Sequence, residues 1–128
     1  MKQAFTMIEL IFVIVILGIL AAVAIPRLAA TRDDAEIVKA AQNITTSLTD
    51  LMGYYTAKGA YAQEFKQMTS VANPIKVKDN VCATYSFVTD KQMLLKRGYD
   101  GICTSVWKFN DLKDLSTIYS SDALIIVE

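Results

Sequence analysis

No histidine occurs in the 128 residues. That absence removes Ser-His-Asp triads, Cys-His dyads and histidine-ligated zinc. Cysteine is scarce. The two present, Cys82 and Cys103, cannot complete a four-thiolate zinc or iron–sulfur site within one chain. Their spacing also excludes a CxxC redox site. Neither sign of charge dominates, with 13 Lys+Arg against 13 Asp+Glu. An electrostatic nucleic-acid binder shows a basic excess or a basic face. Lys91, Lys96 and Arg97 form only a local cluster, so no direct nucleic-acid binding is expected. Ser, Lys and Asp remain for catalysis, but nothing pairs them at a defined spacing. The chain is not expected to be an enzyme, and no cofactor is expected.

What is abundant is apolar surface, 53% of the residues, and much of it lies near the N-terminus. From Leu10 to Ile25 sixteen residues run without a charge. Extended back to Phe5, the stretch is interrupted only by Thr6 and Glu9. As a helix it rises about 31 Å, the hydrocarbon thickness of a bilayer. A buried soluble helix is the plainer alternative, but an unbroken apolar run leaves no solvated face. A cleaved secretory signal is a stronger rival, since Ala22-Val23-Ala24 has the small-residue pattern of its cut. Against it stand an n-region whose only base is Lys2 and a helical periodicity that continues past Arg27.

Glu9 needs a partner. A carboxylate in the apolar layer costs about 2.5–3.5 kcal/mol on insertion scales. No Lys or Arg lies one helical turn away. A new amine at Phe5, four residues from Glu9, would be a suitable counter-ion, on its own chain or on a neighbour. Pairing with a neighbour would set the axial stagger between subunits. The alternative is that Glu9 snorkels to the interface near the helix start.

The stretch Ala4-Phe5-Thr6-Met7-Ile8-Glu9-Leu10, the apolar run and Pro26 resemble the N-terminus of type IV pilins and type II secretion pseudopilins. Phe5, Thr6, Ile8, Glu9 and Leu10 match that pattern. Met7 replaces the usual Leu, and Ala4 stands where Gly is usual. The resemblance covers about the first 30 residues closely. It implies a leader at 1–4, cut between Ala4 and Phe5 by a membrane aspartyl prepilin peptidase that then methylates the Phe5 amine. It implies that Glu9 meets the Phe5 amine of an adjacent subunit during assembly. It implies partners: pilin-like subunits in a homo- or hetero-polymer, an inner-membrane assembly platform and the lipid bilayer. The implied location is a bacterial inner membrane, crossed once, with the C-terminal region periplasmic. Gly18 and Pro26 both weaken a helix. In the family the segment between them resembles the part that melts on packing into a filament. Equally, Gly18 permits close helix approach and Pro26 only kinks a membrane helix.

Four segments follow: the leader 1–4, a transmembrane and assembly helix 5–26, an amphipathic stalk helix 27–59, and a C-terminal loop and sheet region 60–128. In the stalk, Ile37, Ala41, Ile44, Leu48, Leu51 and Tyr55 recur at steps of 4, 3, 4, 3 and 4. Val38 and Met52 widen that stripe, and Gly59 is a plausible helix end. The Asn43-Ile44-Thr45 sequon on this helix reads as chance. Tyr54, Tyr55 and Tyr61 read as core and rim at the helix end rather than a stacking platform.

Beyond Gly59 the pattern predicts a short helix at Gln63–Met68 and strands at Val81–Val88, Met93–Leu95, Ile102–Phe109 and Ala123–Val127. Turns are expected at Asn73-Pro74, Thr89–Lys91 and Asp100-Gly101, and Asp111–Tyr119 is ambiguous. The fold class expected is α+β and pilin-like: one long helix packed on a small antiparallel sheet. Cys82 and Cys103 would bond if the domain faces an oxidising compartment, and otherwise sit as two core thiols. Asp111, Asp114 and Asp122 invite a calcium reading, but their spacing is not an EF-hand, and a solvated acidic loop is favoured. The functional expectation is a structural filament subunit, either pilin or pseudopilin. A signal-anchored or secreted periplasmic binding domain that never polymerises is the competing class.

Overall fold

The computed structural model describes residues 4–109, 112–120 and 123–128. The chain divides into two compact units, Met1–Ala35 and Glu36–Glu128. Helix α1 runs over Met7–Lys58 and contributes to both. It ends where Gly59 takes φ +76° and donates its N–H to the Tyr55 carbonyl at 2.7 Å. This is a left-handed C-terminal cap, a conformation that costs glycine nothing. After α1 come a 3-10 turn at Phe65–Gln67 and the strands β1 (Ile75–Val77), β2 (Asn80–Thr89) and β3 (Gln92–Arg97). A short helix α2 (Cys103–Trp107), then β4 (Ile118–Ser120) and β5 (Ala123–Val127), complete the chain.

The fold is α+β, a long N-terminal helix followed by a small sheet, as the pilin resemblance implies. The sheet has five strands in the order β1-β2-β3-β5-β4. It is not wholly antiparallel: β5 inserts beside β3 in parallel, pairing Met93 with Ile125 and Leu95 with Val127. A parallel neighbour needs a crossover, and the segment carrying α2 and β4 supplies it. The edge strands β1 and β4 are three residues each. Edges that short offer little to a foreign strand.

The expected third strand at Ile102–Phe109 is instead helix α2. Its buried residues are Cys103, Val106 and Trp107, at i, i+3 and i+4. That spacing is helical, and it outweighs the strand propensity of Ile, Val, Trp and Phe. The Asp100-Gly101 turn launches the helix: Gly101 takes φ +55°, and the Cys103 N–H reaches the Asp100 carbonyl at 3.0 Å. Strand β1 falls where only a turn was expected, and the expected helix at Gln63–Met68 shortens to the 3-10 turn.

Within Glu36–Glu128 the core forms where the stalk stripe meets the sheet. Ala41, Ile44, Leu48 and Leu51 are buried, and Ile37, Met52 and Tyr55 pack at the margin. Val38, placed beside that stripe, is exposed. Ala40 and Ser47 are buried as well. Positions 40, 44, 47, 51 and 54 form a second stripe at steps of 4, 3, 4 and 3. On the sheet, Ala83, Tyr85, Met93, Leu95 and Ile125 are buried.

One polar contact crosses this core. The Ser47 hydroxyl donates to the Ile44 carbonyl at 2.8 Å, and the Tyr85 hydroxyl lies 2.6 Å from Ser47 Oγ. With the Ser47 proton committed to Ile44, Tyr85 is the donor to Ser47. The Asn73 side chain grips the other end of the same residue. Its amide nitrogen donates to the Tyr85 carbonyl, and its oxygen accepts the Tyr85 N–H, both at 2.9 Å. Phe65 stacks on the Tyr85 ring with centroids 4.8 Å apart. Tyr85 is thereby held by helix, loop and turn together.

Burial pushes the Tyr85 phenol well above its ordinary 10.0, against the smaller downward pull of the Ser47 bond. The folded phenol therefore keeps its proton where the unfolded chain has lost it. Its contribution to stability is complete below about pH 10 and is lost as pH rises beyond that value. Wild-type stability should fall steeply above about pH 10. Tyr85→Phe should lose roughly 1 kcal/mol at neutral pH and show a shallower alkaline fall, read by denaturant titration across pH. Tyr61 shifts upward too, by burial first and Tyr55 second, so the slope is reduced rather than abolished.

Candidate assembly site at the N-terminus

The candidate residues Ala4, Phe5 and Glu9 fall within six positions, yet they adopt different backbone states. Ala4, Phe5 and Thr6 lie outside any helix, and α1 begins at Met7. Thr6 is the N-cap. Its side-chain oxygen accepts the Glu9 N–H at 3.1 Å, and its carbonyl accepts the Leu10 N–H at 3.1 Å. Thr6-x-x-Glu9 ahead of an apolar run is the composition of a capping box. Glu9 thus lies in the first turn, where the helix dipole favours an anion. Its carboxylate is exposed and makes no hydrogen bond among the described residues. Phe5 is 79% exposed.

Every residue from 4 to 32 is exposed. The apolar side chains from Phe5 to Leu28 therefore present one continuous surface, far beyond the patches that monomeric soluble proteins tolerate. Helix α1 is long and apolar enough to cross a membrane, by length and composition. Gly18 and Pro26 both sit inside the helical segment. A Cβ at Gly18 would meet nothing within 4 Å, so no contact within this chain requires glycine there.

Cys82 on β2 and Cys103 at the start of α2 form a disulfide with Cα atoms 5.0 Å apart. The Trp107 indole N–H donates to the Cys82 carbonyl at 2.9 Å, a second tie between α2 and β2. The Arg97 guanidinium lies 5.9 Å from the Trp107 ring centroid. Of the three aspartates weighed for calcium, Asp111 and Asp122 lie outside the described residues. No group of potential metal ligands occurs among the described residues. The Thr6 cap and the Asn73 grip are two contacts that pattern reading did not anticipate. The first had a signal in Thr-x-x-Glu; the second joins residues 12 positions apart and had none.

The family model described as "Prokaryotic N-terminal methylation motif" matches residues 1–25. The chain carries a prepilin-type leader motif. No curated protein and no solved structure matches the chain. The motif spans the capped helix start, Glu9 and the whole charge-free run from Leu10 to Ile25, and it leaves the Glu36–Glu128 unit outside its bounds.

Proposed function

We propose that this chain is a structural subunit of a type IV filament, a pilin or a secretion pseudopilin. A prepilin peptidase cuts it between Ala4 and Phe5, and the new Phe5 amine is methylated. Residues 5–26 store the subunit in the inner membrane, while the C-terminal region 60–128 and the stalk 27–59 stand on the periplasmic side. The observation that carries this reading is the match at 1–25 to a methylation motif, over an apolar helical stretch whose one acidic residue as far as Ile25 is Glu9. Glu9 then supplies a charge that membrane burial alone disfavours and that the Phe5 amine of another subunit neutralises. A disulfide in the C-terminal unit supports an oxidising compartment for that unit.

Mass analysis of the mature N-terminus tests the reading directly. The expected species begins at N-methylated Phe5. A chain beginning at Ile25 would assign the segment to a cleaved secretory signal. An intact Met1 would leave a membrane-anchored domain that is not processed. Either result overturns the filament proposal.

A further inference from the structure

We infer that Thr6 is a positioning residue for leader cleavage: its N-cap bond holds the Ala4–Phe5 peptide out of helix α1. The inference rests on the cut between Ala4 and Phe5 proposed above. Hydrolysis there adds one water, leaving a carboxylate on Ala4 and an amine on Phe5. A peptidase must reach that carbonyl and grip the flanking backbone, which in extended chain is free to pair with the enzyme. In a helix the same groups are already spent on each other.

The register shows what Thr6 prevents. The Glu9 N–H is taken by Thr6 Oγ1 at 3.1 Å. Were that oxygen absent, the helical partner of the Glu9 N–H would be the Phe5 carbonyl, and that of the Ile8 N–H would be the Ala4 carbonyl. Those are the carbonyls that flank and form the scissile bond. At an apolar boundary an unpaired N–H is expensive, so the helix would advance to supply them. Ala4 would not resist, since alanine is the strongest helix former. Nor is alanine a useful cap to stop the advance one turn earlier. Thr6 is therefore what ends the helix on the C-terminal side of the cut, and Ala4 makes that ending necessary.

The test is the rate of conversion of full-length precursor, expressed with a prepilin peptidase, in a set of variants. Thr6→Ser and Thr6→Asn retain a cap oxygen and should be cut like wild type. Thr6→Val keeps the shape without the acceptor and should be cut at least about fivefold more slowly, the fold-change of a lost cap. Adding Ala4→Gly to Thr6→Val should restore the rate, because glycine resists helix extension. Cα chemical shifts of the uncut precursors in detergent micelles should move toward helix at Ala4 and Phe5 in Thr6→Val alone. Equal rates for Thr6→Val and wild type would overturn the inference. So would slow cleavage of Thr6→Ser and Thr6→Asn, or a slow Thr6→Val that Ala4→Gly does not rescue. Each of those leaves the filament proposal standing, whereas a wild-type chain that is never cut at Ala4–Phe5 removes both.

Discussion

A Glu9→Gln chain is expected to be cut and to enter the membrane like wild type, yet to yield at least about tenfold less filament. Tenfold corresponds to about 1.4 kcal/mol, well inside the 2.5–3.5 kcal/mol that a buried carboxylate costs on insertion scales. Glutamine sits more easily in lipid than glutamate does, so the variant subunit is no less stable before assembly. What it loses, in the filament proposed above, is the charge that another subunit's Phe5 amine would neutralise, and with it the preference for one axial stagger. The helix cap survives the change, because the Glu9 group that Thr6 Oγ1 accepts is the backbone N–H. Loss of helix start therefore cannot account for a fall in polymer. Filament yield after shearing, measured beside the amount of processed subunit in membranes, checks the expectation. Glu9→Asp separates charge from reach: it should polymerise better than Glu9→Gln. Unchanged yield in Glu9→Gln would show that the carboxylate only snorkels.

Removing the disulfide has the largest expected effect on stability. Cys82 and Cys103 are 21 residues apart, so the chain-entropy estimate for closing that loop is about 3 kcal/mol. For a unit the size of Glu36–Glu128 this is a large share of the whole, since domains are marginally stable. A paired Cys82→Ser, Cys103→Ser chain should melt roughly 12–24 °C lower than wild type. The change also frees α2, which otherwise hangs on the bond and on the Trp107 indole contact to Cys82. Trp107 is the chain's single tryptophan, so its fluorescence reports α2 alone. Thermal melts of the full chain in detergent, followed by circular dichroism and by this fluorescence, give the check. Fluorescence change should precede loss of sheet signal in the variant and coincide with it in wild type. A melting point within a few degrees of wild type would mean that burial of Val106 and Trp107 holds α2 without help.

The Thr6 inference and the Glu9 expectation meet in the same turn of helix, and they are separable. Thr6 acts before the cut, through backbone geometry. Glu9 acts after it, through charge. A Thr6→Val chain supplied already processed should polymerise, whereas Glu9→Gln should not.

Local patterning was enough to read the helical half. Sixteen residues without a charge, then apolar side chains at steps of 3 and 4, define α1 almost to its ends, because a helix satisfies its own backbone and needs no distant partner. Gly59 marked its stop for the same local reason. Glu9 stood out because a charge in an apolar run has a cost that composition alone reveals. Strand β2 was legible from the alternation of Ala83, Tyr85 and Phe87 with polar neighbours, and β3 and β5 from short apolar runs, Met93–Leu95 and Ala123–Val127, set off from the turns around them. Long-range pairing was not. Whether β5 lies beside β3 or at an edge depends on contacts between residues some 30 positions apart, and nothing in either segment encodes its neighbour. The segment around Cys103 became a helix because Cys103, Val106 and Trp107 found one buried face and a sulfur on β2. That outcome was settled by packing, against the preference of the residues themselves.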